Sequence, residues 1–342
     1  MTDNSNGLIS DSASTVVSAD VHVAERALIE YHIAPESTLN LLNLSENATY
    51  AVQDGATGTR SILRVHRQNY HRAHEIESEL DWLDALRRDS DIKVPTILPA
   101  SDGRRVVTVN VDGTPRHVVH FELVAGIEPD EAALTVDDFH MLGSITAALH
   151  EHSHNWKRPA GFGRFSWDWP HCLGDEPRWG RWQDADGVGK HEHVLLDRAT
   201  QLLRQRLFDY GSGPDRFGLI HADLRIANLL VDGSTITVID FDDCGFGWFF
   251  YDFSTAVSFI EDDPALPEWQ ESWLRGYRSR RSIDAEDEDM LASFVLLRRL
   301  LLLAWMGTHS HSKESRTKAI TYAEGSCTLA ERYLNSNGHR LV

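Results

Sequence analysis

A chain of 342 residues with a formal net charge of −19 is long enough for two lobes with separate cores. Its composition, 42% hydrophobic and 25% charged, is that of a water-soluble globular protein, and the acidic balance argues against nucleic acid or an anionic membrane as a partner. Cys172, Cys244 and Cys327 are odd in number and form no C-x-x-C pair, a usage that fits a reducing cytoplasm without a disulfide framework. Residues 1–20 are rich in Ser, Asp and Asn and lack a basic leader, so they read as a flexible tail rather than a signal peptide. Residues 21–31 place Val23, Ala27, Leu28 and Tyr31 at helical spacing. Residues 39–52 read as two strands around the polar turn Ser45-Glu46-Asn47-Ala48, and residues 61–67 as a third carrying Ile62, Leu63 and Val65. A helix over 74–88 buries Ile76, Leu80, Leu83 and Leu86 and offers Glu75, Glu77 and Glu79. A further hairpin, 105–110 with 117–123, turns at Asp112-Gly113, and a domain boundary is expected near Gly126.

Beyond that boundary the pattern becomes mainly helical. Residues 137–154 carry Phe139, Leu142, Ile145 and Leu149 at helical spacing. The end of this helix, His150-Glu151-His152-Ser153-His154, formally matches the zinc-protease signature H-E-x-x-H. With 18 histidines in the chain and no third ligand pattern, a helix end decorated with histidines is the preferred reading. Residues 162–182 hold Trp167, Trp169, Trp179 and Trp182, which suit either packing between helices or the cover of a pocket. Helices are expected over 197–210, from Asp252 to near residue 261, and over 269–277, 287–306 and 320–334. The most apolar run, 294–306, is interrupted by Arg298 and Arg299 and is too short to span a bilayer, so it reads as a buried helix. The acidic runs 261–263 and 286–289 read as solvated faces.

Residues 220–243, IHADLRIANLLVDGSTITVIDFDD, carry the chemistry. An H-x-D-x4-N loop, a short hairpin and then I-D-F is the layout of a phosphoryl-transfer site. Asp223 supplies a carboxylate to orient or deprotonate an acceptor hydroxyl. Asn228 and Asp240 supply the hard oxygen ligands that Mg2+ requires. Asp242, two residues past Asp240, is expected on the same strand face, where it would assist the metal or the acceptor.

Together, HADLRIANLL, VIDFDD, SENATY, LRVHR and RRLLLLAWM resemble the aminoglycoside phosphotransferase and choline kinase family, over nearly everything after about residue 21. The resemblance implies an α+β, protein-kinase-like two-lobe fold. Its N-lobe, residues 21–125, would be a small antiparallel sheet with one main helix that binds nucleotide. Its C-lobe, residues 126–342, would be larger, mainly helical, and would hold the acceptor. By the same resemblance Asp223 is the catalytic aspartate, His221 shapes the catalytic loop, Asn228 and Asp240 ligate Mg2+, and Arg225 touches the transferred phosphate. Arg64 stands where relatives carry the phosphate-binding lysine, with Glu79 as its partner; Arg keeps the charge but changes the donor geometry. The first hairpin has no glycine-rich loop, so Ser45 and Asn47 are the candidate phosphate contacts there. Glu122 and Val124 lie in the linker expected to bind adenine. Ala222 replaces the family's common glycine and Ile226 its common proline. The expected activity is ATP-dependent transfer of the γ-phosphate to a hydroxyl of a small molecule: an amino alcohol, a hydroxy amino acid such as homoserine, or an amino sugar. A Ser/Thr protein kinase of the same fold and a non-catalytic nucleotide-binding protein are the alternatives. Nothing in the motifs sets an oligomeric state.

Overall fold

The computed structural model describes residues 20–44, 47–111, 113–309 and 313–341. It divides into two compact units: the described residues up to Gly126 with Arg158–Gly163 and Asp232–Val238, and Ile127–Lys157 with Arg164–Val231 and the described residues from Ile239 on.

The first unit is a twisted sheet clad by two helices. Helix α1, residues 20–30, turns Val23, Ala24, Ala27 and Leu28 inward. Strands β1 (Thr38–Leu44), β2 (Ala48–Gln53) and β3 (Arg60–Val65) follow, then helix α2 (Ala73–Asp89), β4 (Val106–Val111) and β5 (Thr114–Glu122). The sheet order is β1-β2-β3-β5-β4, with every neighbouring pair antiparallel. Alternation puts Leu63 and Val65 of β3 in one core with Tyr50, Val107, Val118 and the inner face of α1. The Tyr31 hydroxyl donates to the Val118 carbonyl at 3.0 Å, fastening the end of α1 to β5. Helix α2 buries Ile76, Leu80, Leu83 and Leu86, and Glu79 lies among them, fully buried. Gly163 returns to this helix by donating its amide to Ser78 Oγ at 3.0 Å.

The second unit is mainly helical. Its elements are α3 (Val136–Asn155), β6 (Ser166–Trp167), α4 (Trp169–Cys172), α5 (Lys190–Tyr210), β7 (Phe217–Ile220) and β8 (Leu229–Asp232). After β9 (Thr235–Val238), which groups with the first unit, come β10 (Gly245–Trp248), α6 (Tyr251–Ala256), α7 (Leu266–Arg278), α8 (Ala285–Asp289), α9 (Leu291–Thr308) and α10 (Lys313–Asn335). Strand β10 sits centrally, antiparallel to β7 and parallel to β6. Helix α3 starts in a capping box, in which Thr135 Oγ accepts from the Asp138 amide and the Asp138 carboxylate accepts from the Thr135 amide. Trp167, Trp179 and Trp182 are buried, so the aromatic segment serves packing. The helix from Asp252 ends at Ala256, short of residue 261, because Phe259 takes a left-handed backbone (φ 69°) that no helix accommodates. Among the described residues, 285–308 is long and apolar enough to cross a bilayer (mean hydropathy 1.7), but 83% of that window is buried inside the protein.

Candidate active site

The loop that follows β7 is built on a buried carboxylate. Asp252, at the start of α6, accepts the amide of Ala222 at 2.7 Å and that of His221 at 3.2 Å. A third donor is His150 Nε2 on α3, at 2.9 Å, and His150 Nδ1 in turn meets the Tyr277 hydroxyl at 3.0 Å. Burial pulls the His150 pKa below its ordinary value against the opposing pull of Asp252, so the ring is neutral: Nε2 donates and Nδ1 accepts. This settles the H-E-x-x-H match. His150 is fully buried support for a loop rather than a surface histidine, and no cluster of three His, Cys, Asp or Glu able to hold a metal exists among the described residues. The support is needed because Ala222 has φ 63°, a conformation that glycine adopts without penalty and alanine does not.

His221 is also fully buried, and both its ring nitrogens face the backbone. Nδ1 accepts the Asp223 amide at 3.3 Å, and Nε2 donates to the Ile239 carbonyl at 3.2 Å. Burial lowers its pKa, which fixes this neutral tautomer. The Ile239 amide donates to the Asn228 carbonyl at 2.9 Å. Together these bonds lace the loop carrying Asp223 and Asn228 to the residue just before Asp240. Asn228 Nδ2 donates to the Asp223 carbonyl at 2.7 Å and to Asp223 Oδ2 at 2.9 Å. That use of the amide nitrogen leaves the side-chain oxygen Oδ1 as the end of Asn228 available to a cation. With the Asp240 carboxylate it makes a hard-oxygen set that fits Mg2+, which needs few protein ligands when phosphates and water supply the rest.

Asp240 and Asp242 do not share a strand face. Strand β9 ends at Val238, Asp240 has φ 60°, and Asp242 lies in a turn, so the period-two expectation fails because the extended backbone stops before either residue. Buried Arg164 holds this turn by donating to the carbonyls of Asp242 and Cys244. Arg225 is half-buried; its Nη1 meets Glu131 Oε1 at 3.1 Å, and its Nε lies 3.7 Å from Asp223 Oδ2.

In the first unit, Arg64 Nη2 lies 2.6 Å from Glu79 Oε1, with both side chains buried. The register of β3 between β2 and β5 aims Arg64 at the α2 face that carries Glu79. The guanidinium also sits 5.1 Å from the Phe121 ring centroid. Asn47 Oδ1 accepts the Arg67 amide at 3.1 Å and pins the end of β3. Ser45 lies outside the described residues. The Glu122 amide donates to the Thr96 carbonyl at 2.9 Å, and Val124 is half-buried in the segment after β5.

Sequence reasoning missed Arg298. From α9 its Nη2 reaches Asp223 Oδ1 at 2.6 Å, and it is 2% exposed. Burial works against its charge, but Tyr251 and Asp223 raise its pKa above the ordinary arginine value. The signal was present: two arginines inside the most apolar run of the chain must have buried partners. Arg299, its neighbour, satisfies that rule structurally, on Glu261 at 2.7 Å and the Tyr322 carbonyl at 3.0 Å.

An antiparallel sheet carrying a buried Arg–Glu pair, followed by a helical unit carrying the laced Asp223–Asn228–Asp240 loop, is the arrangement of a phosphotransferase of protein-kinase-like fold. The chain belongs to the phosphotransferase enzyme family, whose model matches residues 40–288. It is similar to a solved microcompartment-associated aminopropanol kinase, with 70% identity and a TM-score of 0.88 over 94% of this chain and all of that one. The amicoumacin kinase of Bacillus subtilis (strain 168) is 26% identical over 253 residues, 70% of this chain and 72% of the relative. A solved amicoumacin kinase in complex with AMP-PNP and Ca2+ shares the fold, with a TM-score of 0.75 and 22% identity over 92% of this chain and 95% of that one. The protein is an ATP-dependent phosphotransferase that acts on a small molecule.

Proposed function

We propose that the acceptor is a short amino alcohol of the aminopropanol type, phosphorylated on its hydroxyl. The observation that carries this is the 70% identity, sustained over 94% of the chain, to an aminopropanol kinase. In this reading residues 21–125 form the nucleotide-binding domain and residues 126–342 the acceptor domain. Asp223 accepts the hydrogen bond of the acceptor hydroxyl and takes its proton as the new O–P bond forms and the bond to the ADP leaving oxygen breaks. Asn228 and Asp240 would hold Mg2+, with Asp242 of the following turn as a further candidate ligand, and the metal would supply charge neutralisation to the phosphates. Arg225 offers a second cation to the transferred group, and Arg64, fixed by Glu79, offers one to the nucleotide phosphates. His221 acts by shaping the loop, since its nitrogens are used by backbone. The acidic surface, the free cysteines and a small cationic acceptor suit a cytoplasmic enzyme that has no nucleic-acid or membrane partner.

The test is acceptor-dependent ADP release with 1-amino-2-propanol, ethanolamine, choline, homoserine and an aminoglycoside. The expected result is a kcat/KM for aminopropanol at least about tenfold above each of the others, the order of discrimination one methyl or one polar contact supplies. Preference for any other acceptor in the set overturns the assignment. Asp223→Asn, which keeps the shape of the side chain, is expected to lower kcat by about a thousandfold, within the range for loss of a positioned acid–base group.

A further inference from the structure

Each oxygen of the Asp223 carboxylate is held by a side chain of different origin. Oδ2 is held by Asn228, five residues along the same loop, and Oδ1 by Arg298, seventy-five residues away on α9. The Arg298 guanidinium is anchored through all three of its nitrogens. Its Nε donates to Ser258 Oγ at 3.0 Å, and its Nη1 to the Tyr251 hydroxyl at 3.2 Å and the Ala222 carbonyl at 3.4 Å. The Trp179 ring lies 5.1 Å from its central carbon. Stability gives little reason for this charge, because an apolar side chain of similar volume packs well in a leucine-rich helix and a buried cation is costly. Function gives a reason. An anchored guanidinium on Oδ1, with Asn228 on Oδ2, fixes the plane of the carboxylate at two points, which a swinging ammonium on Oδ1 does not. Its charge also offsets that of Asp223 beside an incoming anionic phosphoryl group.

We propose that Arg298 is a positioning residue for phosphoryl transfer: by pinning Oδ1 of Asp223 it presents the carboxylate to the acceptor hydroxyl in a single orientation. The proposal rests on the assignment of Asp223 as the group that receives that hydroxyl. Arg298 itself neither gives nor takes a proton; the hydroxyl proton goes to Asp223.

The experiment is a double-mutant cycle on the full chain, with Asp223→Asn, Arg298→Met and both together, and with Arg298→Lys alongside. Arg298→Met is expected to lower kcat by about a hundredfold, the effect of a small misplacement, while KM for ATP and aminopropanol changes less than about threefold. Arg298→Lys is expected to recover about tenfold of that loss. In the Asp223→Asn background the Arg298 change is expected to cost no more than about twofold, because the two residues act as a unit. A kcat for Arg298→Met within about threefold of wild type, or losses that multiply in the double variant, overturns the proposal. If Arg298→Met does not fold, the same cycle run with Arg298→Lys decides on the same criteria. Near-normal turnover by Asp223→Asn alone sinks the Asp223 assignment and this proposal with it, and is recognisable from that single variant.

Discussion

Arg64 shows how far single residues can be read. Its strand position and the helical phase of Glu79 are local facts, and the fold brings the two side chains to 2.6 Å. Removing the guanidinium leaves a fully buried carboxylate without its partner, a loss of roughly 3–5 kcal/mol in comparable pairs. Arg64→Ala is therefore expected to lower the melting temperature and to raise KM for ATP about tenfold or more, whereas Arg64→Lys keeps KM within about threefold because the charge stays. Equal KM values for wild type and the alanine variant, measured on folded protein, would remove Arg64 from the nucleotide site. Asn47 was less legible. Its side chain has two uses open to it, turn geometry or a bond to a distant amide, and only the fold placed the Arg67 amide within reach.

Between elements, the crossing of α3 and α7 depends on two glycines that no periodicity singles out. A Cβ on Gly143 would run into the Trp273 carbonyl, and one on Gly276 into the His140 carbonyl. The helices approach backbone to backbone at these points, and neither carbonyl can swing aside as a side-chain tip would. The same crossing holds Tyr277 and His150, and through them Asp252 and the loop that carries Asp223. Gly143→Ala and Gly276→Ala should each destabilise by about 2–3 kcal/mol despite the better helix propensity of alanine, because overpacking outweighs a gain of ~1 kcal/mol. Urea unfolding would measure this; a stabilised Gly143→Ala protein would mean that the helices separate without cost. Helix limits were less legible than helix existence. Helix α5 begins at Lys190, seven residues before the sequence pattern suggested, because its first turn, residues 190–193, is polar and carries no apolar residue to mark the start.

Across the whole molecule, buried neutral histidines set the acid limit of stability. Burial lowers the pKa of His120 to about 4, and it also lowers those of His150 and His221. The unfolded chain takes up these protons near pH 6.5 while the folded chain resists, so stability is full above 6.5 and is lost as pH falls. For His120 the loss is about 1.4 kcal/mol per pH unit between 6.5 and about 4, with the other two adding to the slope. Carboxylates with lowered pKa, such as Asp289, act only below their ordinary value of 3.8, outside this window. Calorimetry from pH 8 to 5 should show a melting temperature that drops below 6.5; a flat profile would contradict the burial of these rings as neutral groups.

The sequence by itself determined the reaction. Asp223, Asn228 and Asp240 lie within eighteen residues of chain, so their order and spacing are a local pattern, and that pattern pointed to the phosphotransferase family to which the chain belongs. The alternation and helical periods likewise determined an antiparallel sheet followed by a helical unit, because those patterns are local. Only the tertiary structure decided what holds the loop in place. Asp252 was legible as an anchor from its place shortly after the motif, but His150 reaches Asp252 from α3 and Arg298 reaches Asp223 from α9, and no short-range pattern records which buried charge finds which partner. Burial supplies the reason: a charge or imidazole inside a core must be satisfied by whatever side chain the packing delivers, and packing belongs to the whole chain.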